Sequence, residues 1–244
     1  MRISRIYLPI NDSQISNEVI VDDNKAHYIR NVLRLKQNNV LQFFNGTGGQ
    51  YEGTISSISK HQVILSNIQL TSQQPQASTL SSTLVQGISS SDRMDYTIQK
   101  AAELGCKRLI PVLSTFCSQK IPSHKYDKKL QHWQAVAVSA CEQSGRSDLL
   151  SIEPISTLDE TVKNCSEGVY LDPTAKHCLH NLPEHLQQQH TLFIGPEGGF
   201  SPEELNAFES HNYFGIQLGQ RVLRTETVAP VILSALHTLY GDFK

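Results

Sequence analysis

A glycine-rich segment in the C-terminal part of the chain has the residue types of a ligand-binding loop. Residues 193–204 leave a predicted strand and enter a helix that begins with the start signals of a capping box. Three glycines, a proline and a carboxylate lie within five residues, which exceeds what a turn requires. They are Gly195, Pro196, Glu197, Gly198 and Gly199. Glycine lets the backbone approach a ligand closely, so the segment predicts a binding site. It has neither the GxGxxG pattern of dinucleotide binding nor the Lys-Ser/Thr pair of a phosphate-binding loop.

A second segment concentrates charge and hydroxyl groups between a predicted strand and the C-terminal helix. Residues 218–227 contain two arginines, two threonines and a glutamate. Because Pro230 has no amide hydrogen, we place it in the first turn of that helix, with Thr227 as the N-cap. Taken alone, a capped and solvated helix start explains this segment as well as a functional loop does.

Two further motifs lie on predicted helices. Residues 142–146 end a long helix, where Gly145 suits the C-cap and Arg146 suits the negative end of the helix dipole. Residues 92–105 form an amphipathic helix, from which Arg93 and Lys100 could reach phosphate groups. For both motifs, an ordinary helix terminus or a solvated helix face is the simpler explanation.

The composition disfavours several classes of function. The five cysteines include no CxxC pair, the ten histidines form no HxxxH or HExxH pattern, and no GxSxG is present. A metal enzyme, a thiol-nucleophile enzyme and a serine hydrolase are therefore not indicated. Scattered single thiols suit the reducing cytoplasm. No apolar run reaches the roughly 18 residues of a membrane helix, so we expect a cytoplasmic protein that contacts no membrane.

The first seventy residues are rich in short strand-like runs. We predict strands at 3–8, 19–21, 40–44, 51–58 and 62–68, and one helix at 23–35 with Asp23 as the N-cap. Several short strands with one helix indicate a small barrel. This part holds seven Lys and Arg against five Asp and Glu, in a chain of net charge −2. It is therefore the favoured part for nucleic-acid contact. Residues 71–78 are polar and aperiodic, which indicates a linker.

Beyond the linker, strand-like and helix-like runs alternate, which is typical of a parallel α/β sheet. The predicted strands are 83–88, 108–113, 169–172, 191–194 and 215–218. The predicted helices are 92–104, 125–143, 157–163, 202–210 and 228–240. Ligands of such sheets bind at the carboxyl ends of the strands. We therefore expect a site in the loops that follow Leu171, Ile194 and Leu218.

Taken in order, four motifs resemble the RsmE family, the 16S ribosomal RNA uridine-N3 methyltransferases of the SPOUT superfamily. The motifs are QKAAELG at 99–105, EQSGR at 142–146, IGPEGGF at 194–200 and LGQRVLRTET at 218–227. The resemblance implies an α/β fold, with a SPOUT-type parallel sheet and a C-terminal trefoil knot, preceded by a small PUA-like β-barrel. It also implies domains at 1–72 and 73–244, a homodimer, S-adenosylmethionine (SAM) as the cofactor and 16S rRNA of the small ribosomal subunit as the substrate.

The resemblance also assigns the site residues. Cofactor binding is implied for Leu171, Gly195, Pro196, Glu197, Gly198, Gly199, Leu218, Gly219, Gln220, Arg221, Leu223, Arg224, Thr225, Glu226 and Thr227. We assign RNA binding to Arg2, Arg5, Arg30, Arg34, Lys36 and Arg93. Loss of the uridine N3 proton leaves an anion shared by two carbonyl oxygens, which an arginine fork matches. We therefore expect Arg224 to stabilise this anion, with Glu226 and Arg146 in support and Glu142 as a rival base.

Three other functions remain to be weighed against this interpretation. A related knotted methyltransferase with another rRNA or tRNA target would share every motif. A non-catalytic RNA-binding relative would retain the fold without needing the intact glycine loop. A nicotinamide-dependent dehydrogenase is disfavoured because the dinucleotide fingerprint is absent.

Overall fold

The computed structural model describes residues 3–73 and 80–243. The chain forms two compact units. The first consists of the part before residue 77 together with Cys141–Leu149, and the second consists of the remainder. The division predicted at residue 72 did not anticipate that Cys141–Leu149 belongs with the first unit.

The first unit is built on a five-stranded sheet with the order β1-β3-β4-β5-β2. Its strands are β1 (Arg5–Tyr7), β2 (Glu18–Asp22), β3 (Val40–Phe44), β4 (Gly49–Ile58) and β5 (Gln62–Gln73). β1 runs parallel to β3, and the other neighbours are antiparallel. A continuous core of buried side chains, among them Ile6, Ile29, Phe43 and Leu65, packs within this unit. All five strands were predicted.

The predicted helix at 23–35 is shorter and less regular than expected. Asp22, rather than Asp23, is the N-cap of α1 (Asp23–His27), and a π-helical turn follows over Tyr28–Val32. The helical conformation ends before Arg34, whose φ of 53° is in the left-handed region. The predicted linker also begins late, because β5 pairs with β4 as far as Gln73. Residues 74–78 lie outside the described residues.

The second unit is a parallel sheet with helices in the connections. Its strands are β6 (Ser81–Gly87), β7 (Arg108–Leu113), β8 (Ser151–Ile152), β9 (Ser156–Thr157), β10 (Val169–Leu171), β11 (His177–Cys178), β12 (Gln189–Ile194) and β13 (Phe214–Gln217). The order is β11-β13-β10-β12-β6-β7-β8, and β9 also pairs with β7. The two-residue strands β8, β9 and β11 were not predicted, because such short segments have no periodicity to detect. The five longer strands were predicted.

The helices of this sheet lie close to their predicted positions. They are α2 (Ser91–Glu103), α3 (Tyr126–Ser144), α4 (Leu158–Asn164), α5 (Pro202–Ser210) and α6 (Thr225–Tyr240). The predicted capping box of α5 is confirmed, since the Ser201 hydroxyl accepts from the Glu204 amide and the Glu204 carboxylate accepts from the Ser201 amide. The parallel α/β class is likewise confirmed.

The predicted start of α6 is wrong. The N-cap is Arg224 rather than Thr227, and Pro230 lies inside the helix. Pro230 removes one backbone hydrogen bond from the helix interior, but the helix start is fixed by tertiary hydrogen bonds of Thr225, described below. The trefoil knot stays a prediction.

Candidate active site

A cavity of about 530 Å³ opens at the carboxyl ends of β10, β12 and β13. This volume is in the range of about 300–1,000 Å³ that small-molecule sites occupy. Three loops form most of its wall, and each directly follows one of these strands. They are residues 171–173, 194–200 and 218–225. The cavity therefore lies where the sequence predicted it, in the loops after Leu171, Ile194 and Leu218.

The glycine-rich loop after β12 is held against the end of β6. A Cβ atom on Gly87 would lie 2.5 Å from both the nitrogen and Cδ of Pro196, so only glycine fits at this position. Within the loop, the Gly199 amide donates to the Pro196 carbonyl at 2.9 Å. Glu204 reaches from α5 to accept hydrogen bonds from the amide and hydroxyl of Thr115. The loop is thus fixed by packing on one side and by hydrogen bonds on the other.

Thr225 connects the start of α6 to two of the central strands. Its hydroxyl donates to the Gly195 carbonyl at 2.6 Å and accepts from Gln86 Nε2 at 3.0 Å. Thr225 and Gln86 are both buried. Buried hydrogen bonds are strong and hold their partners in position, so these two bonds set where α6 begins relative to the glycine-rich loop.

Arg93 lies at the edge of the cavity between two carboxylates. Its Nη1 is 2.8 Å from Glu197 Oε1, and its Nε is 3.5 Å from Glu226 Oε2. Glu197 also accepts hydrogen bonds from the Ser90 amide and the Ser118 hydroxyl. Burial by itself would raise the pKa of Glu197, but the hydrogen bonds from backbone amides, Arg93 and Ser118 outweigh it and lower the pKa overall. Glu197 is therefore an ionised anchor for the loop.

Two family models match this chain, an RNA methyltransferase domain over residues 76–237 and an RNA methyltransferase PUA domain over residues 21–66. The ribosomal RNA small subunit methyltransferase E of Buchnera aphidicola (subspecies Schizaphis graminum) is 32% identical, with 99% of this chain and 98% of the relative covered. The chain belongs to the ribosomal RNA small subunit methyltransferase E family. The N-terminal unit is accordingly the PUA-like domain of this family.

Two solved structures of similar proteins align with this chain over its whole length. The ribosomal RNA small subunit methyltransferase E of Neisseria gonorrhoeae, solved with bound S-adenosyl methionine, has a TM-score of 0.89 and 32% identity, with 100% of each chain covered. A methyltransferase from Legionella pneumophila, solved in complex with SAM, has a TM-score of 0.91 and 33% identity, again with 100% of each chain covered.

Most of the cofactor residues that the family resemblance implied line the cavity. They are Leu171, Gly195, Pro196, Glu197, Gly198, Gly199, Leu218, Gly219, Arg221, Leu223, Arg224 and Thr225. Gln220, Glu226 and Thr227 are not among the lining residues, although Glu226 reaches Arg93. Arg221 and Arg224 are exposed at the cavity, and neither guanidinium has a recorded partner within the described chain. Arg224 is therefore available to a ligand.

Several lining residues were not named individually as cofactor residues. They are Asp172, Pro173, Ile194, Phe200, Ile216, Val222 and Val228, together with Arg93, which was assigned to RNA. Most are apolar neighbours of predicted residues, and apolar side chains next to a glycine turn carry no distinct sequence signal. Asp172 and Pro173 directly follow Leu171, in one of the three loops where the site was expected.

Glu142 and Arg146 belong to the first unit, where both have internal partners. Glu142 Oε1 accepts from the Tyr7 amide and from Lys25 Nζ, each at 2.9 Å. Arg146 is buried, and its guanidinium donates to both carboxylate oxygens of Asp148 at 2.7 and 3.0 Å. These contacts hold the segment 141–149 in place. The catalytic roles expected of Glu142 and Arg146 stay predictions.

Arg5 also has a different setting from the one expected of an RNA contact. Its guanidinium donates to the carbonyls of Cys141 and Arg146 and to the Ser147 hydroxyl, at 2.7 to 2.9 Å. It also lies 4.0 Å from the centre of the Phe44 ring. Burial lowers the pKa of this guanidinium. The geometry gives Arg5 a structural role in the first unit.

The other predicted RNA contacts differ in their surroundings. Arg34 and Lys36 have no recorded side-chain partner among the residues described. Arg30 Nη1 donates to the Ser59 carbonyl at 3.0 Å. Arg2 lies outside the described residues.

Within the described part of the chain, no cluster of three His, Cys, Asp or Glu side chains is placed to hold a metal ion, and no helix has the length and apolar character needed to span a bilayer.

Proposed function

We propose that this protein transfers a methyl group from SAM to N3 of a uridine in the 16S rRNA of the small ribosomal subunit. The observation that carries the proposal is the cavity at the strand ends, in a chain that aligns over its full length with relatives solved with SAM. The N3 position and the 16S target rest on the family resemblance. The proposal includes a cytoplasmic location, since the proposed substrate is the ribosomal subunit.

The cavity suits SAM because its wall exposes backbone. Gly199 and Gly219 both line the cavity with φ angles of 71° and 76°, and a Cβ atom on either would meet nothing within 4 Å. Open space therefore borders the backbone at both glycines, so a ligand with an adenine edge and a carboxylate can approach it closely. When bound, SAM supplies an activated methyl group whose departure leaves a neutral thioether, so no general acid is required.

The protein has to position the nucleotide and help N3 to lose its proton. In-line placement of acceptor and methyl group supplies much of the acceleration in such transfers. Arg224 is exposed at the cavity as the N-cap residue of the 16-residue helix α6. Its guanidinium stays protonated at any working pH and matches the two oxygens of a deprotonated uridine. The amides at the start of α6 also favour an anion.

Glu226 supports this arrangement from the same helix turn. Its Oε2 is buried, makes no hydrogen bond among the described residues and lies 3.5 Å from Arg93 Nε. Either of two roles fits this position: Glu226 orients the arginine side chains, or it accepts the N3 proton. Glu142 remains a weaker candidate for the base, because its Oε1 already accepts two hydrogen bonds.

The same proposal includes a homodimer. Helix α6 buries Ile232, Leu233 and Leu236 inside its unit, while Val231 and Leu239 are 39% and 40% exposed. Apolar surface on a second side of a helix favours a partner. Sedimentation at micromolar concentration should show a dimer, and a monomer would contradict this part of the proposal.

The function is tested with small ribosomal subunits prepared without the modification. Calorimetry should show binding of SAM and none of NAD, and labelled methyl groups should appear in 16S rRNA at N3 of one uridine. Methylation of another base, or of a ribose hydroxyl, would favour a related knotted enzyme. SAM binding without methylation of either ribosomal or transfer RNA would favour a non-catalytic relative.

A further inference from the structure

We propose that residues 114–129, which we term the basic segment, bind the phosphate backbone of the RNA strand that enters the cavity. The inference rests on the proposed function and adds a contact surface outside the PUA-like unit. The basic segment connects β7 to α3 and includes the first turn of that helix. It contains four lysines, one histidine and a single acidic residue. The rest of residues 71–244 carries 10 Lys and Arg against 17 Asp and Glu.

The basic segment is tied to the edge of the cavity at both ends. Near its start, the Ser118 hydroxyl donates to Glu197 Oε2 at 3.2 Å, and Glu197 lines the cavity. At its end, Lys129 Nζ donates to the Ser91 hydroxyl at 2.8 Å. The neighbouring amide of Ser90 donates to the other oxygen of the same Glu197 carboxylate, at 3.0 Å. Lys120, Lys125 and Lys128 lie in the chain between these two attachment points.

Three lysines of the basic segment are available to a ligand. Lys120, Lys125 and Lys128 are exposed, and none has an ion-pair partner among the residues that the structure describes. In contrast, Lys100 and Lys163 on other helices of this unit pair with carboxylates at 2.8 and 2.6 Å. Unpaired cations on an otherwise acidic unit attract a polyanion and steer its approach.

The basic segment also carries an exposed aromatic side chain beside a residue of the cavity wall. Phe116 is 45% exposed. A Cβ atom on Gly198, which lines the cavity, would lie 2.7 Å from Phe116 Cβ. Aromatic rings flanked by cations are typical of surfaces that bind single-stranded nucleic acid, because bases stack on the ring while phosphates meet the charges. A nucleotide whose base enters the cavity must place its flanking phosphates at the edge. RNA is therefore a better match for this surface than an acidic protein.

The experiment compares two double variants that remove equal charge. Lys120→Gln/Lys125→Gln alters the basic segment. Lys107→Gln/Lys163→Gln is the control, since Lys107 directly precedes β7, at the opposite end of that strand from the cavity loops, and Lys163 lies on α4. We expect the test variant to raise the KM for small subunits about tenfold, with kcat and SAM affinity unchanged. The plot of the logarithm of the RNA association constant against the logarithm of the salt concentration should become shallower by about 1.4. Each lost contact with a single-strand phosphate accounts for about 0.7 of this change.

Two results would overturn the inference. One is a KM and salt slope for the test variant equal to those of the control. The other is a fall in kcat or SAM affinity without a change in RNA affinity, which would mean that the lysines act on the cavity instead. RNA affinity and its salt slope are measured without SAM. If the unaltered protein methylates no RNA, the proposed function fails, whereas the comparison of RNA affinities between the two variants still tests this inference.

Discussion

Arg93 on α2 and Glu197 in the glycine-rich loop form an ion pair with a separation of 2.8 Å, although they are 104 residues apart in the sequence. The same guanidinium approaches Glu226 at the start of α6. One cation thereby holds two of the elements that border the cavity. Arg93 was assigned to RNA from its position on an amphipathic helix, yet its recorded contacts are with these two carboxylates.

Arg93→Gln should weaken SAM binding about fivefold. Ion pairs that are partly exposed, as this one is, contribute up to about 1 kcal/mol, and the loss would loosen the glycine-rich loop. Calorimetry at low and high salt checks the effect, which should shrink as salt screens the pair. Arg108→Gln breaks the comparable Arg108–Glu153 pair and should leave SAM affinity unchanged. Equal affinities in the two variants would contradict the role of Arg93.

Thr225→Val should destabilise the protein by about 1–3 kcal/mol, the usual cost of a buried polar group left without its partner. The substitution keeps the shape of the side chain and removes the hydroxyl that donates to the Gly195 carbonyl. Urea unfolding measures the loss, and calorimetry should show weaker SAM binding. Thr225→Ser keeps the hydroxyl and should recover most of both properties. If the valine variant is as stable as the parent, this bond does not fix the start of α6.

His190 should make stability depend on pH. Burial, with a smaller contribution from His237, lowers the pKa of His190 from 6.5 to about 4, against the opposing effect of the carbonyls of Leu186 and Gln187. The unfolded chain therefore binds more protons between pH 6.5 and 4. The contribution of neutral His190 to the free energy of unfolding is fully present above about pH 6.5 and is lost as the pH falls toward 4. From pH 6.5 to 5 the loss should be about 2 kcal/mol.

His190→Leu should flatten this pH dependence, measured by urea unfolding at pH 7.5 and 5. His61→Leu is the matched control, because His61 is exposed. His237 is buried beside Asp242, at 2.6 Å, and it is unchanged in both variants. If His190→Leu and the parent lose the same stability on acidification, another group is responsible.

Arg30→Gln combined with Arg34→Gln should weaken RNA binding and lower its salt slope. Arg30 is held on the surface of the first unit by its bond to the Ser59 carbonyl, and Arg34 follows the π-helical turn. Phosphate contacts carry no sequence information, so the loss should be similar for different RNA sequences. Filter binding over a range of salt concentrations measures both quantities. An unchanged slope would mean that RNA binds to a different surface of this unit.

Local signals in the sequence predicted most of the fold and the location of the site. The loop at 195–199 was predicted because its glycines and proline lie within a few residues of the capping box of α5. The sheet class followed from the alternation of strands and helices. Such signals need no knowledge of distant contacts, which is why the five longer strands of the second unit were found and its two-residue strands were not.

The features that the sequence did not predict come from interactions between distant parts of the chain. The hydrogen bond from Arg5 to the Cys141 carbonyl spans 136 residues, and no local pattern distinguishes it from a solvated arginine. Pro230 suggested a later start for α6. The start is decided instead by the hydrogen bonds that the Thr225 hydroxyl accepts from Gln86 Nε2 and donates to the Gly195 carbonyl. The lysines of the basic segment were not singled out from the sequence, because charge was counted over whole regions and acidic residues elsewhere in the region cancel them.

Arg224 is the residue on which the chemistry should depend most. It is exposed at the cavity, precedes the first turn of α6 and has no recorded side-chain partner in residues 3–73 or 80–243. Arg224→Ala should lower the methylation rate by a hundredfold or more, roughly 2.7 kcal/mol of transition-state stabilisation. Arg224→Lys should recover only part of the rate, because an ammonium group cannot contact both oxygens of the uridine anion in the fork geometry of a guanidinium.

The control for Arg224 is Arg221→Ala, since Arg221 is also exposed and lines the same cavity. Rates on small subunits and SAM affinities are measured for all three variants. A role in stabilising the uridine anion requires that the rate falls in Arg224→Ala while SAM affinity is retained, because such an interaction is made mainly in the transition state. A parallel loss of SAM affinity would make Arg224 a cofactor contact. A near-normal rate in Arg224→Ala would remove it from the chemistry and leave Glu226 as the residue to examine.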